Sequence, residues 1–307
     1  MKLDKNARMK IRRFFLGRTA GDGLFGRIAL YGLLSIIGFV YVYPLLKMAT
    51  VSFMDLSDLV DPVVEWIPTR IYLENYRTGL IVLQYGKTLL FSLAVTLVPA
   101  LLQTAATSLT GYALAKFKVR GRRIVFALIL VTYLLPQQVY MIPKFVLFDA
   151  LGILKTAWAI IFPATFGQGL SSAIFILIFY QFFRMQPTAL DESAEIDGAN
   201  PYQVFFRIGV PLAAPAYLSS FLFSFVWYWN ETYISSLFLG TDLYTLQLKL
   251  LNFQSQFNLA VGISQTATNE AIRFAATILI ILPVLVVYAV MQKGFVEGID
   301  RTGVTGE

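Results

Sequence analysis

Six apolar runs, each longer than the roughly 18 residues that a bilayer-spanning helix needs, constrain this 307-residue chain more than any other feature. They cover residues 28–46, 88–109, 124–142, 161–182, 212–238 and 272–291. The chain is 57% hydrophobic and 14% charged, with a mean hydropathy of +0.66. A soluble domain, which alternates apolar and polar faces, does not reach such values. Pro99, Pro136, Pro163, Pro215 and Pro283 interrupt the runs, as buried transmembrane helices tolerate. The fourth run is also broken by Gly167-Gln168-Gly169 and Ser171-Ser172. The expected fold class is an all-α polytopic membrane protein with six transmembrane helices.

Lys and Arg in short loops set orientation. An amino-terminal arm carries Lys2, Lys5, Arg8, Lys10, Arg12, Arg13, Arg18 and Arg27, and the loop after the second run carries Lys116, Lys118, Arg120, Arg122 and Arg123. Both fall inside if the N-terminus is cytoplasmic, and six spans then return the C-terminus to the same side. Residues 53–87, with Asp55, Asp58, Asp61, Glu65 and Glu74, fall outside. The net charge of +7 is thereby largely topological. Nucleic acid is not an expected partner, because the basic residues flank spans and no stacking aromatics form a groove. The first run is too long for the h-region of a cleaved signal peptide, so it reads as a retained anchor.

The chain has no cysteine and no histidine, which excludes disulfides, thiol catalysis and imidazole metal ligands. No metal site and no catalytic constellation is expected. Gly86-Lys87-Thr88 imitates the end of a phosphate loop, but the glycine required five residues earlier is Ile81. Ion-coupled carriers use ionisable groups within the membrane. Here no Asp or Lys lies well inside the apolar runs, and the candidates are only Glu231 in the fifth run and Arg273 at the start of the sixth. The chain therefore reads as a pathway without its own energy source.

Between the fourth and fifth runs lies Asp191-Glu192-Ser193-Ala194-Glu195-Ile196-Asp197-Gly198-Ala199. Four carboxylates stand where the charge rule favours Lys and Arg. Thr188 starts a capping pattern with Asp191 three residues later, Gly198 suits a helix C-terminus, and Asn200-Pro201 opens a second helix. The expected element is helix, sharp turn, helix, lying along the membrane surface.

Glu192-Ser193-Ala194, Gly198, Ile208, Val210 and Pro211 resemble, in type and spacing, the EAA loop of ABC importer permeases, with Ser193 and Val210 as the two departures. The resemblance extends to the MalG-type permeases of carbohydrate importers through Glu74-Asn75-Tyr76, Tyr112-Ala113-Leu114-Ala115-Lys116, Gly121-Arg122, Leu135-Pro136, Gln138-Val139 and Ile142-Pro143. Ile196-Asp197-Gly198-Ala199, Trp229-Asn230-Glu231, and a tail with Gln292, Phe295-Val296, Gly298 and Gly303-Val304 continue it.

The resemblance implies a type I ABC importer permease fold. It divides the chain into a basic arm (1–27), a first span (28–46), an extracytoplasmic segment (47–83), a permease core (84–292, with a coupling helix near 187–210) and a cytoplasmic tail (293–307). It implies that Glu192, Ser193, Ala194, Asp197, Gly198, Ala199, Ile208 and Pro211 contact an ATPase. It also implies a MalF-type second permease, two ABC ATPase subunits that carry ATP and Mg, and an extracytoplasmic solute-binding protein, with no cofactor on this chain. Sugars need hydrogen-bonding and aromatic side chains in a mostly apolar cavity. Gln103, Thr107, Gln137, Gln138, Trp229, Asn230 and Tyr233 are the candidates for that pathway. Other readings are a permease for another polar solute such as glycerol phosphate, and an autonomous ion-coupled carrier.

Overall fold

The computed structural model describes residues 23–261 and 269–304. The basic arm before residue 23 lies outside the described residues, as do the side chains of the tail beyond Gly294. The elements are α1 (Leu24–Val51), α2 (Leu56–Val60), α3 (Glu74–Leu83), α4 (Tyr85–Lys116), α5 (Arg122–Leu134), α6 (Gln137–Ala150), α7 (Trp158–Thr165) and α8 (Ser172–Met185). There follow α9 (Thr188–Ile196), α10 (Pro201–Val204), a π-helical segment (Phe205–Gly209), α11 (Val210–Leu212) and α12 (Ala214–Asn230). The remainder comprises α13 (Tyr233–Phe238), α14 (Leu246–Leu251), α15 (Phe253–Val261) and α16 (Glu270–Val304).

Three helices are long and apolar enough to cross a membrane: α1, α4 and residues 270–294 of α16. The total rises to six among the described residues if each of three bent pairs counts as one span. Along α1 only Val51 is buried, while Phe25, Ile28, Tyr31, Ile36, Phe39 and Val40 are exposed. A surface this apolar is suited to hydrocarbon rather than water.

Bends and a break divide several of the apolar runs. α5 and α6 meet at 97°, where Pro136 lacks an N–H and holds Leu135 extended, at ψ 123°. The run 161–182 is not one helix. α7 stops at Thr165, and α8 starts at Ser172, after Gly167 and Ser171 with φ of +65° and +50°. α8 instead forms a bent pair with α9, at 70°. The fifth run is bent by 76° between α11 and α12, and α12 ends at Asn230. Glu231 is extended there, and its Oε1 accepts from the Ile234 amide at 2.5 Å to start α13.

The described residues fall into two compact units, one of residues up to 77 with 269–278, the other of residues from 78 with those from 279. In the first, Val51, Met54 and Ala271 form a small core flanked by Leu59, Val64 and Phe274. Polar side chains pin the loop beyond α1. Arg70 Nη2 lies 2.6 Å from Asp55 Oδ2, and Asp58 Oδ1 accepts from the Thr69 hydroxyl at 2.6 Å. Asn75 Nδ2 donates to the Ser52 and Met54 carbonyls at 3.0 and 2.7 Å.

In the second unit α4 is the central helix, packed by α7, α8 and α12. At Gly111 the backbones of α4 and α8 come so close that a Cβ would lie 2.6 Å from Phe179 Cβ and 2.8 Å from the Tyr180 nitrogen. Small residues at helix contacts allow such an approach in membranes. Tyr112, Phe179, Phe183, Phe205, Ala213 and Ala216 form the adjoining apolar cluster.

Candidate functional site: an exposed acidic hairpin and a buried polar node

Residues 188–212 form the expected helix, turn and helix. Pro187, not Thr188, occupies the N-cap of α9, and no side chain caps it. The Thr188 capping pattern is therefore not realised. Asp191 stays in the first turn, where its charge suits the helix N-terminus, but its Oδ2 pairs with Lys116 Nζ of α4 at 2.7 Å. At the other end Gly198 has φ +85°. Its N–H donates to the Glu195 carbonyl at 3.0 Å, and the Ala199 N–H donates to the Ala194 carbonyl at 2.9 Å. These two bonds are the Schellman pattern that closes a helix on a left-handed residue. Asn200 then caps α10 in a reciprocal box. Its Oδ1 accepts from the Gln203 amide at 2.9 Å, and Gln203 Oε1 accepts from the Asn200 amide at 2.8 Å.

The hairpin keeps most of its surface free. Glu192, Ser193, Asp197, Gly198 and Pro211 are exposed, and Ala194, Ala199 and Ile208 are partly covered. Ile196 is 86% exposed and Tyr202 76%, and Phe206 also faces outward. Large apolar side chains among carboxylates on a surface turn are the composition of a docking patch. The second arm is seated by Phe205, whose ring meets Tyr112 at 4.8 Å, while Tyr112 meets Phe183 at 5.0 Å.

The pathway candidates separate in the structure. Gln103 is fully buried, and both its polar atoms are engaged. Nε2 donates to the Leu170 carbonyl at 2.6 Å, and Oε1 accepts from Tyr228 Oη at 2.6 Å. Tyr228 Oη in turn accepts from the Leu170 amide at 3.2 Å. This node ties α4 and α12 to the break between α7 and α8. Gly169 makes room for it, since a Cβ there would lie 2.1 Å from Tyr228 Oη. Thr107 is buried, and its hydroxyl donates to the Gln103 carbonyl at 2.7 Å.

Trp229 is buried and stacks on Phe225 with centroids 6.0 Å apart. Asn230 is exposed, and its Nδ2 donates back to the Val226 carbonyl at 2.9 Å. Tyr233 is exposed. Gln137, partly covered, and Gln138, exposed, open α6. No hydrogen bond among the described residues joins these two to the Gln103 node. Tyr228 was not singled out in the sequence. Its neighbours Trp229 and Asn230 carry the family resemblance, and the one local hint of the node is the glycine-rich break at 167–169.

The described residues form an all-helical membrane protein with three clear spans, or up to six if each bent pair is one span. The sequence pattern of the family described as binding-protein-dependent transport system inner membrane component matches residues 107–301. The chain belongs to that family, the permease subunits of ABC importers. It is similar to the polygalacturonan/rhamnogalacturonan transport system permease protein YtcP of Bacillus subtilis (strain 168), at 30% identity over 88% of this chain and 94% of that one. It is also similar to the galactooligosaccharides transport system permease protein GanQ of the same organism, at 31% identity over 90% of this chain and 94% of that one. Among solved structures it resembles a chain of a bacterial ABC transporter involved in the import of the acidic polysaccharide alginate. The TM-score is 0.72 and the identity 24%, covering 89% of this chain and 96% of that chain.

Proposed function

We propose that this chain is a permease subunit of an ATP-driven importer for a sugar or oligosaccharide, driven through the 188–212 hairpin by a separate ATPase. The observation that carries the reading is the exposed hairpin itself. Two capped helices meet at a left-handed glycine and present Glu192, Ile196 and Tyr202 outward. Glu192 pairs with a basic group of the ATPase, Gly198 provides the turn, and Ala194 and Ala199 permit close approach. Ile208 and Pro211 shape the return to α12. ATP and Mg reside on the partner.

The N- and C-termini and the hairpin face the cytoplasm, as the Lys and Arg of the loop after α4 favour. A second, MalF-type permease completes the translocation unit in a prokaryotic cytoplasmic membrane, and an extracytoplasmic binding protein delivers the solute. The choice of solute is supported by YtcP and GanQ, which are named for the transport of polygalacturonan/rhamnogalacturonan and of galactooligosaccharides.

Transport follows from the two states of the ATPase pair. Closure on ATP holds the hairpins differently from the open state, and this difference in contact energy shifts the permease between its two arrangements. The test is purification of the tagged chain from its native membrane, wild type beside Gly198→Pro. Proline fixes φ near −65°, against the +85° found here. An ATPase and a second permease should accompany the wild type, and the variant should lose the ATPase. Sugar released from a co-purified binding protein and identified by mass spectrometry would give the solute. A wild-type preparation that retains the second permease without any ATPase overturns the coupling role.

A further inference from the structure

The run Tyr112-Ala113-Leu114-Ala115-Lys116 closes α4 against the hairpin, and a docking role for the hairpin leaves its contacts unexplained. Lys116 Nζ lies 2.7 Å from Asp191 Oδ2, with the side chains only 10% and 17% exposed. Lys116 also donates to the Gln186 carbonyl at 3.3 Å, and Gln186 Nε2 donates to the Gly209 carbonyl at 3.2 Å. Lys116 stands in the last turn of α4 and Asp191 in the first turn of α9. The ion pair therefore joins the negative end of one helix dipole to the positive end of another. One turn back on α4, Tyr112 holds Phe205 of the second arm.

The hairpin is thus fixed to α4 at its first turn and at Phe205, while α9 beyond Asp191 is open. Glu192, Glu195, Ile196, Asp197 and Gly198 are all exposed. A push on the exposed face of α9 is borne by the contacts that hold the helix to α4, so the force on α4 is delivered there. On the same α4, Gln103 lies thirteen residues before Lys116, about 20 Å along the axis, and anchors Leu170 and Tyr228. A weakly solvated ion pair has one good geometry and a high cost for leaving either charge unpaired. An apolar contact would slide instead.

We propose that the Lys116–Asp191 ion pair is the positioning contact that passes displacement of α9 into α4, and so to the Gln103–Tyr228 node. The inference rests on the coupling role proposed for the hairpin.

The absence of cysteine from the chain allows a test that needs no knowledge of the solute. Gln168→Cys places one thiol at an exposed position in the break beside the node. Its rate of maleimide labelling is measured in the purified complex with its ATPase, nucleotide-free and trapped with ADP and vanadate. Lys116→Met and Asp191→Asn are compared with Lys116→Arg and with the otherwise unaltered chain. Asp191→Asn preserves size and hydrogen bonding, so it tests the charge even where Lys116→Met assembles poorly.

The unaltered chain and Lys116→Arg should show at least a fivefold difference between the two states. The two neutral variants should show less than twofold, with the ATPase still bound and hydrolysing. A fivefold difference retained in both neutral variants overturns the ion pair's role and leaves the docking reading intact. Equal labelling of the unaltered chain in both states also overturns it, since the node then does not respond to nucleotide. Loss of the ATPase from the wild-type complex removes the docking reading, and this inference with it.

Discussion

Tyr228 Oη donates to Gln103 Oε1 at 2.6 Å, across 125 positions of sequence, and both side chains are buried. The same hydroxyl accepts the Leu170 amide at 3.2 Å, so one phenol serves two elements. Tyr228→Phe should leave the Leu170 N–H without that acceptor and Gln103 Oε1 without a donor. Each orphaned buried polar group costs about 1–3 kcal/mol. The variant should lose several degrees of thermal stability in detergent. Gln103→Leu in the same background should add less than the sum of the two single changes, because the partners share one network. Additive losses would show that the node is not a unit.

Gly111 marks a close approach of α4 and α8. An added Cβ would meet Phe179 Cβ at 2.6 Å and the Tyr180 nitrogen at 2.8 Å. Backbone cannot yield as a flexible side chain can, so Gly111→Ala should force the helices apart. Overpacking of this kind costs about 1–3 kcal/mol. Thermal unfolding of the solubilised chain should fall accordingly, and Gly86→Ala, which meets open space, should not lower it comparably. Equal stability of the two variants would contradict the close approach.

The long apolar helices and the hairpin were legible from the sequence because their signals are local. Hydrophobic runs fix α1, α4 and α16, and Gly198 and Asn200-Pro201 fix a turn through backbone preferences that act within a few residues. Charge and turn residues alone leave the role of the hairpin open, and only the family resemblance suggests a coupling role. What stayed hidden is tertiary. The Gly and Ser residues that break the run 161–182 are visible in the sequence, but the satisfaction of that break by Gln103 and Tyr228 from two other helices is not. Asp191 stands in the first turn of α9, as the sequence suggests, but its partner Lys116 is 75 positions away. The sequence likewise gives no sign that both polar atoms of Gln103 are engaged within the fold.

Asp55 gives the loop after α1 a dependence on acid. Its carboxylate accepts from the Ser57 hydroxyl at 2.6 Å, the Asp58 amide at 2.9 Å and Arg70 Nε at 2.9 Å. The Ser57 hydrogen bond, followed by those from Asp58 and Arg70, holds its pKa well below the ordinary carboxylate range. A depressed folded-state value means that the stabilisation is fully present above the unfolded carboxyl's pKa, about 3.9. It is lost as pH falls through the folded value. Protease protection of residues 52–73 should therefore be constant from pH 7 to about 5 and decline below about 4. Asp55→Asn should be less protected at pH 7 and flatter with pH. An unchanged acid profile in that variant would remove Asp55 as the cause.

Asn200 tests whether the second arm of the hairpin must be preformed. Its reciprocal bonds with Gln203 start α10, and α10 leads through the π-helical segment that carries Phe205 and Phe206. Asn200→Ala removes the side-chain acceptor and should cost about 1 kcal/mol of local order, whereas Asn200→Asp should cost little. The Gln203 amide should exchange with deuterium several times faster in the alanine variant. If the ATPase binds a preformed hairpin, the ordering cost is charged against binding, and its affinity should fall about fivefold, the factor equivalent to 1 kcal/mol. Faster exchange with unchanged affinity would mean that the ATPase contacts only α9 and its glycine turn.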